Sequence, residues 1–208
     1  MSLSDEALRE EGLAADGNGR VLVIGCGALA REILAIRSTS GLDHVDVTCL
    51  PAILHNRPER IAPALEATIN ACRGRYETIF VAYADCGSGG AIAKICAKHG
   101  VEMLDGPHCY SFFEGTAAFS ARDEVTAFYL TDFLARQFDA FVTRPLGLDR
   151  HPELRDAYFG NYEKLVYLAQ TDDPHLDAKA RAAAKKLGLA YERRETGYGD
   201  LAPAITAL

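Results

Sequence analysis

Three cysteines occupy the positions at which α/β proteins usually place their reactive groups. Cys26, Cys86 and Cys109 each come a few residues after a short apolar run, in a segment that contains glycine. Such runs predict buried strands. Because ligands of open α/β sheets bind outside the carboxyl ends of the strands, the three thiols are expected to meet at one edge of the sheet. This placement predicts a metal centre or a reactive thiol centre.

The residue types around this edge favour a transition metal, either zinc or an iron–sulfur cluster. Zinc takes three or four sulfur or nitrogen ligands, and three thiolates can equally hold a cluster with one iron open to substrate. The predicted metal ligands are Cys26, Cys86, Cys109, His108 and His55. Since side chains alternate on extended backbone, only one of His108 and Cys109 is expected to face the site. The alternative is that the cysteines are buried as small hydrophobic side chains.

The first glycine turn suggests a nucleotide cofactor. Gly25 and Gly27 belong to a GCGALA string, which fits the G-x-G-x-x-A turn of dinucleotide-binding folds. Such folds place an acid at the end of the second strand, but Asp46 falls early in that strand, which ends Leu-Pro. A nucleotide-dependent oxidoreductase that uses this turn is therefore kept as an alternative function.

The second glycine turn suggests an anion site. Gly87, Ser88 and Gly89 precede the third predicted helix. Backbone N–H groups at a helix amino terminus bind anions, and the field of the helix also favours the thiolate of Cys86. No lysine follows at the P-loop spacing. A metal-free accessory protein that binds a small anionic ligand at this turn is the other alternative function.

The elements that position these residues alternate along the first half of the chain. This order requires crossover connections and predicts an α/β fold with a mostly parallel sheet and helices on both faces, a Rossmann-like three-layer arrangement. The predicted strands cover residues 20–24, 45–50, 78–83 and 101–104, and the predicted helices cover residues 28–37, 59–73 and 88–99.

The second half is predicted to be mainly helical. Helices are expected over residues 125–138, 156–170 and 177–187, with a last strand over 189–194. Residues 1–19 read as a loose leader, and residues 20–208 as a single α/β domain with a helical C-terminal half. The remaining cysteines, Cys49, Cys72 and Cys96, read as structural.

Composition limits the partners of the protein. The 208 residues carry a net charge of −7, which disfavours binding to nucleic acid or to anionic membranes. No apolar run approaches the roughly 20 residues that a membrane span needs. The leader has no basic region followed by an apolar core, so we expect a cytoplasmic protein whose six cysteines are reduced thiols. Aromatic residues of the second half offer a face for a homodimer.

Six strings in the chain resemble the uncharacterised family known as domain of unknown function 1638. They cover residues 24–33, 54–56, 85–89, 108–110, 158–162 and 167–171, so the resemblance spans nearly all of the chain after the leader. The resemblance implies a setting of corrinoid-dependent one-carbon methyl transfer, with corrinoid or methyltransferase proteins as partners, and it assigns no reaction. The chain lacks the D-x-H-x-x-G string that supplies a histidine ligand to cobalt.

The leading hypothesis is a metal-binding α/β protein with a small-molecule substrate. Zinc at this edge would bind and deprotonate a thiol, or polarise a small substrate as a Lewis acid. An iron–sulfur cluster would transfer electrons or bind substrate at an open iron. Either chemistry is compatible with methyl transfer. No residue is assigned a catalytic role from the sequence.

Overall fold

The first half of the chain forms a four-stranded parallel sheet. In this computed structural model, which describes residues 3–208, its strands are β1 (Val21–Cys26), β2 (Val45–Leu50), β3 (Thr78–Ala82) and β4 (Glu102–Met103). They are ordered β2-β1-β3-β4, and every neighbouring pair is parallel. All six residues of β1 are buried, as expected for a central strand covered on both faces.

Helices connect and cover the strands. Because crossovers between parallel strands are right-handed, the helix between β1 and β2 lies on one face, and the helices after β2 and β3 lie on the other. The helices of the chain are α1 (Asp5–Glu10), α2 (Ala30–Thr39), α3 (Ile61–Cys72), α4 (Ala91–His99), α5 (Ser111–Glu114), α6 (Thr116–Arg122), α7 (Asp132–Arg136), α8 (Arg155–Phe159), α9 (Pro174–Leu187) and α10 (Leu201–Thr206). Contacts between α3 and α4, and between α2 and α10, agree with this arrangement. The predicted α/β class with a mostly parallel sheet is confirmed.

A second parallel sheet occupies the second half of the chain, which was predicted to be mainly helical with a last strand over residues 189–194. Its strands are β5 (Ala127–Leu130), β6 (Lys164–Ala169) and β7 (Ala190–Glu195), in the order β5-β6-β7. The helix predicted over residues 125–138 is wrong, since β5 and α7 replace it. The helix predicted over 156–170 is also wrong, since it consists of α8 followed by β6. Short apolar runs fit either period, and pairing with a neighbouring strand decides between them.

The chain divides into two compact units. The first contains the described residues up to Thr116 together with Tyr198–Leu208, and the second contains Ala117–Gly197. Compact units of this kind can belong to one domain, so the single domain predicted for residues 20–208 stays a prediction. Between residues 3 and 208, no helix has the length and apolar character needed to cross a membrane.

The segment predicted to be a loose leader contains an ordered helix. Ser4 caps α1 by accepting a hydrogen bond from the backbone N–H of Ala7. Leu8 is 1% exposed, and Leu13 exchanges two backbone hydrogen bonds with Cys49 of β2. Part of the segment is therefore ordered, since α1 docks through Leu8 and Leu13 pairs with β2, while the division of the chain at residue 19 stays a prediction. The first two residues of that segment lie outside the described residues.

Candidate functional site

The strand order places the first two candidate thiols at the point where the topology reverses. From β1 the chain passes to β2 on one side, whereas from β3 it passes to β4 on the other side. Parallel sheets of this order open a crevice at the carboxyl ends of the two central strands. Cys26 is the last residue of β1, and Cys86 lies in the loop that follows β3.

Two neighbouring loops bring Cys86 and Cys109 into contact. The Sγ atoms of the two residues are 3.2 Å apart. The loops themselves are joined by backbone hydrogen bonds, from the N–H of Cys86 to the carbonyl of Pro107 at 3.0 Å and from the N–H of Asp85 to the carbonyl of Gly106 at 2.9 Å. Both residues are half-buried. The contact is therefore held by the backbone on both sides.

The two thiols of this pair have pKa values shifted in opposite directions. The hydrogen bond with the Cys109 side chain lowers the pKa of Cys86. The same hydrogen bond, together with burial, raises the pKa of Cys109 well above its usual range. A thiolate at Cys86 is thereby stabilised by a thiol at Cys109, a state that suits a nucleophile or a metal ligand.

Cys26 lies near this pair in a more apolar setting. Burial raises the pKa of its thiol to about 11, although hydrogen bonds from the backbone of Ala28 and from Tyr83 act in the opposite direction. The Tyr83 hydroxyl is itself buried, and both its burial and the nearby cysteines raise its pKa well above the usual value. Cys26 is therefore a protonated thiol unless a cation replaces its proton.

The two candidate imidazoles lie at the same edge, and both have a lowered pKa, which favours their neutral form. Partial burial lowers the pKa of His108, whose ring stacks on Tyr110 with ring centroids 4.9 Å apart. His55 is exposed as a residue. The protein atoms around its ring nevertheless reduce the hydration of the charged form and so lower its pKa, and the neighbouring His108 lowers the pKa further. Neutral imidazole is the form that binds metals.

The glycine turn after Cys86 already holds an anion that belongs to the chain. The Asp85 carboxylate accepts hydrogen bonds from the N–H of Gly90 at 2.6 Å, from the hydroxyl of Ser88 at 2.8 Å and from the N–H of Gly89 at 3.3 Å. These bonds, that of Gly90 above all, lower the pKa of Asp85. An external anion at Gly87, Ser88 and Gly89 would have to displace this carboxylate.

The first glycine turn is covered by the chain itself. A β-carbon at Gly27 would overlap the backbone carbonyl of Leu8 in α1, and one at Gly25 would meet the Ile33 side chain at 2.8 Å. The glycines therefore permit close packing of α1 and α2. Asp46 is fully buried and accepts a hydrogen bond from the Tyr76 hydroxyl at 2.9 Å, so it does not reach the sheet edge. These contacts favour a packing role for this turn over nucleotide binding.

The structure thus brings part of the predicted ligand set together. Cys86 and Cys109 touch; Cys26 is near enough to Cys86, and His55 near enough to His108, for the neighbour to shift its pKa. Within residues 3–208, no three His, Cys, Asp or Glu side chains are arranged as a metal site. The metal centre stays a prediction, and the two thiols in contact, Cys86 and Cys109, are the part of the predicted ligand set on which it depends.

Sequence reasoning missed two residues of this site. Tyr83 ends the predicted strand over residues 78–83, and a tyrosine at the end of an apolar run often directs its hydroxyl into a buried polar contact. Asp85 was not considered either, although an aspartate before a Ser/Gly-rich turn commonly accepts hydrogen bonds from the backbone that follows it.

The second sheet carries a buried carboxylate that serves packing. Asp132 is 1% exposed and accepts hydrogen bonds from the Tyr167 hydroxyl at 2.7 Å and from the N–H groups of Gln170 and Thr171, both at 3.1 Å. The Thr171 hydroxyl donates as well. Because these donors come from β6 and the residues after it, Asp132 fixes the start of α7 to the end of that strand. Three residues of the string over 167–171, namely Tyr167, Gln170 and Thr171, take part in this network.

Comparison with known proteins gives one match. The sequence model of the family described as "Protein of unknown function (DUF1638)" matches residues 49–205. No curated protein and no solved structure matches the chain. The matched region contains His55, Cys86, His108 and Cys109, whereas Cys26 precedes it.

Proposed function

We propose that this chain, which belongs to the DUF1638 family of proteins of unknown function, binds a thiophilic metal ion through Cys86 and Cys109. Cys26 is the third ligand in this proposal, and His108 or His55 is the fourth. The observation that carries the proposal is the 3.2 Å contact between two thiols on separate loops at the carboxyl edge of the sheet.

The pair fits a metal with a small adjustment. Two zinc–sulfur bonds of about 2.3 Å at a tetrahedral angle place their sulfurs about 3.8 Å apart. The sulfurs of Cys86 and Cys109 are 3.2 Å apart, so a modest side-chain rotation is enough to admit the ion. The thiol protons of Cys109 and Cys26 would leave when the metal binds, which makes binding stronger as the pH rises.

The sulfur and nitrogen atoms of the proposed ligands also match the ligand preference of a thiophilic metal. Sulfur and neutral imidazole together suit zinc or the irons of a cluster, whereas calcium and magnesium prefer oxygen. When bound, such a metal supplies Lewis-acid activation of a thiol or of a small substrate, or electron transfer in the case of iron–sulfur. A place in corrinoid-linked one-carbon metabolism is compatible with this chemistry and is proposed only as a setting.

The test is metal analysis of protein purified without oxygen. We expect the wild-type chain to contain about one equivalent of zinc, or iron with charge-transfer absorption. The metal content of Cys86→Ser should be at least tenfold lower. The matched control is Cys72→Ser, because Cys72 is half-buried like Cys86 but lies at the end of α3. This control should keep its metal.

Two results would contradict the proposal. One is a folded wild-type protein that binds no metal, even after incubation with zinc or ferrous iron. The other is full metal content in Cys86→Ser. Circular dichroism of each variant separates loss of the site from loss of the fold, since a serine in this half-buried loop leaves the sheet intact.

A further inference from the structure

The thiol pair has a second chemical use that needs no metal. A disulfide requires two sulfurs about 2.05 Å apart on backbone positions that are already close. Cys86 and Cys109 satisfy the second condition, because Cys86 is bonded through its N–H to the carbonyl of Pro107, two residues before Cys109. Their sulfurs are 3.2 Å apart, so side-chain rotation alone can close most of the remaining gap.

The position of the pair makes it accessible to a small molecule. Both residues are only partly buried, in contrast to Cys26, Cys49 and Cys96, which are buried. The glycines that follow Cys86 carry no side chain that could cover it, and Gly87 and Gly89 are exposed. A low-molecular-weight disulfide can therefore approach the loop after β3 without opening the core.

We infer that Cys86 and Cys109 form a redox-active dithiol that exchanges with low-molecular-weight disulfides such as oxidised glutathione. The inference goes beyond the proposed metal binding and does not depend on it. Because both use the same two sulfurs, metal binding and disulfide formation exclude one another. Oxidation of the pair would therefore release a bound metal, and metal would protect the pair from oxidation.

The exchange balances in two steps. One protein thiol, after losing its proton, attacks a sulfur of the small disulfide, whose S–S bond breaks and whose other half leaves as a thiolate that takes up a proton. The second protein thiol then loses its proton and attacks the first protein sulfur, which expels the remaining half as a second thiol. The small disulfide gains two hydrogen atoms, and the protein loses two.

The test uses the full chain, reduced and freed of metal by a chelator, in buffers with increasing ratios of oxidised to reduced glutathione. We expect intact mass to fall by two hydrogen atoms and peptide mapping to join Cys86 to Cys109. Cys72→Ser should form the same disulfide with an equilibrium constant within about twofold of the wild type. Cys109→Ser should instead stop at a glutathione adduct on Cys86.

A wild-type chain that stays folded and reduced in the most oxidising buffer would overturn the inference. So would a disulfide that joins Cys86 or Cys109 to another cysteine. The two proposals fail separately. Disulfide formation in a protein that never binds metal removes only the metal proposal, whereas metal binding without disulfide formation in the metal-free protein removes only this one.

Discussion

At the residue scale, the most informative observation is the backbone of Cys86. Its φ is +46°, a left-handed conformation that a β-carbon disfavours by about 1 kcal/mol or more. Residues in such conformations persist where the surroundings fix them, and they are concentrated at functional sites. Here the hydrogen bonds of Cys86 and Asp85 to the next loop fix the backbone. A cysteine in a position suited to glycine points to a role for its sulfur.

A pair of substitutions tests this strain. We expect Cys86→Gly to be more stable than Cys86→Ala by about 1 kcal/mol, because glycine adopts a positive φ without the steric cost of a β-carbon. Both variants lack the thiol and should lose metal equally. Urea unfolding followed by circular dichroism measures the difference. Equal stability of the two variants would show that the loop relaxes and that Cys86 is not strained.

At the element scale, an ion-pair network ties the three strands of the second sheet together. Glu124 lies just before β5 and accepts hydrogen bonds from Lys164 of β6 at 2.8 Å and from Arg194 of β7 at 2.8 and 2.9 Å. Tyr129 also donates to it, at 2.9 Å. Burial alone would raise the pKa of Glu124, but these donors outweigh it and lower the pKa to about 2.

This network predicts a pH-dependent contribution to stability. Since the folded-state pKa of Glu124 lies below its ordinary value of 4.5, the contribution is complete above about pH 4.5 and is lost as the pH falls towards about 2. We expect Glu124→Gln to lower the free energy of unfolding by about 1–2 kcal/mol at neutral pH, an amount reduced for solvent screening because the side chain is 22% exposed.

Urea unfolding at pH 7 and near pH 3 measures this contribution. The difference between the wild type and Glu124→Gln should be smaller near pH 3, because Glu124 is then largely protonated in the unfolded wild type while the folded-state carboxylate, with a pKa of about 2, is still mostly charged. The control is Glu163→Gln, an exposed glutamate next to β6, which should change stability by less than about 0.5 kcal/mol at either pH. A deficit of Glu124→Gln that is the same at both pH values would contradict the assigned role.

At the scale of the whole molecule, segments distant in sequence complete the first unit. Leu8 in α1 is 1% exposed, and Leu201 and Ile205 in α10 are fully buried. The unit therefore takes its core from the amino-terminal segment and from Tyr198–Leu208, as well as from the β-α repeats between them. Because α1 packs over the turn after β1, it also covers one side of the candidate site.

A large-to-small substitution tests whether α1 is part of this core. Leu8→Ala should lower the free energy of unfolding by about 3 kcal/mol, the cost typical of a buried leucine whose site collapses only partly. The control is Glu11→Ala at the exposed end of the helix, with an expected change below about 0.5 kcal/mol. If both variants unfold at the same urea concentration as the wild type, the segment is loose after all.

The sequence by itself determined the first sheet and the positions of its thiols. Buried parallel strands read as short apolar runs bounded by glycine, and the order of strands and helices requires a parallel sheet. Cys26, Cys86 and Cys109 could therefore be placed at one edge. These inferences are local, because they depend on residues that are neighbours in sequence.

Only the tertiary structure decided the rest. The runs that became β5 and β6 have no period that separates strand from helix, and their pairing partners lie tens of residues away. Similarly, the contact between Cys86 and Cys109 depends on hydrogen bonds between two loops, and the covering of Gly27 depends on where α1 docks. Contacts between residues distant in sequence cannot be seen in the pattern of neighbouring residues, because many different sequences can form the same packing contact.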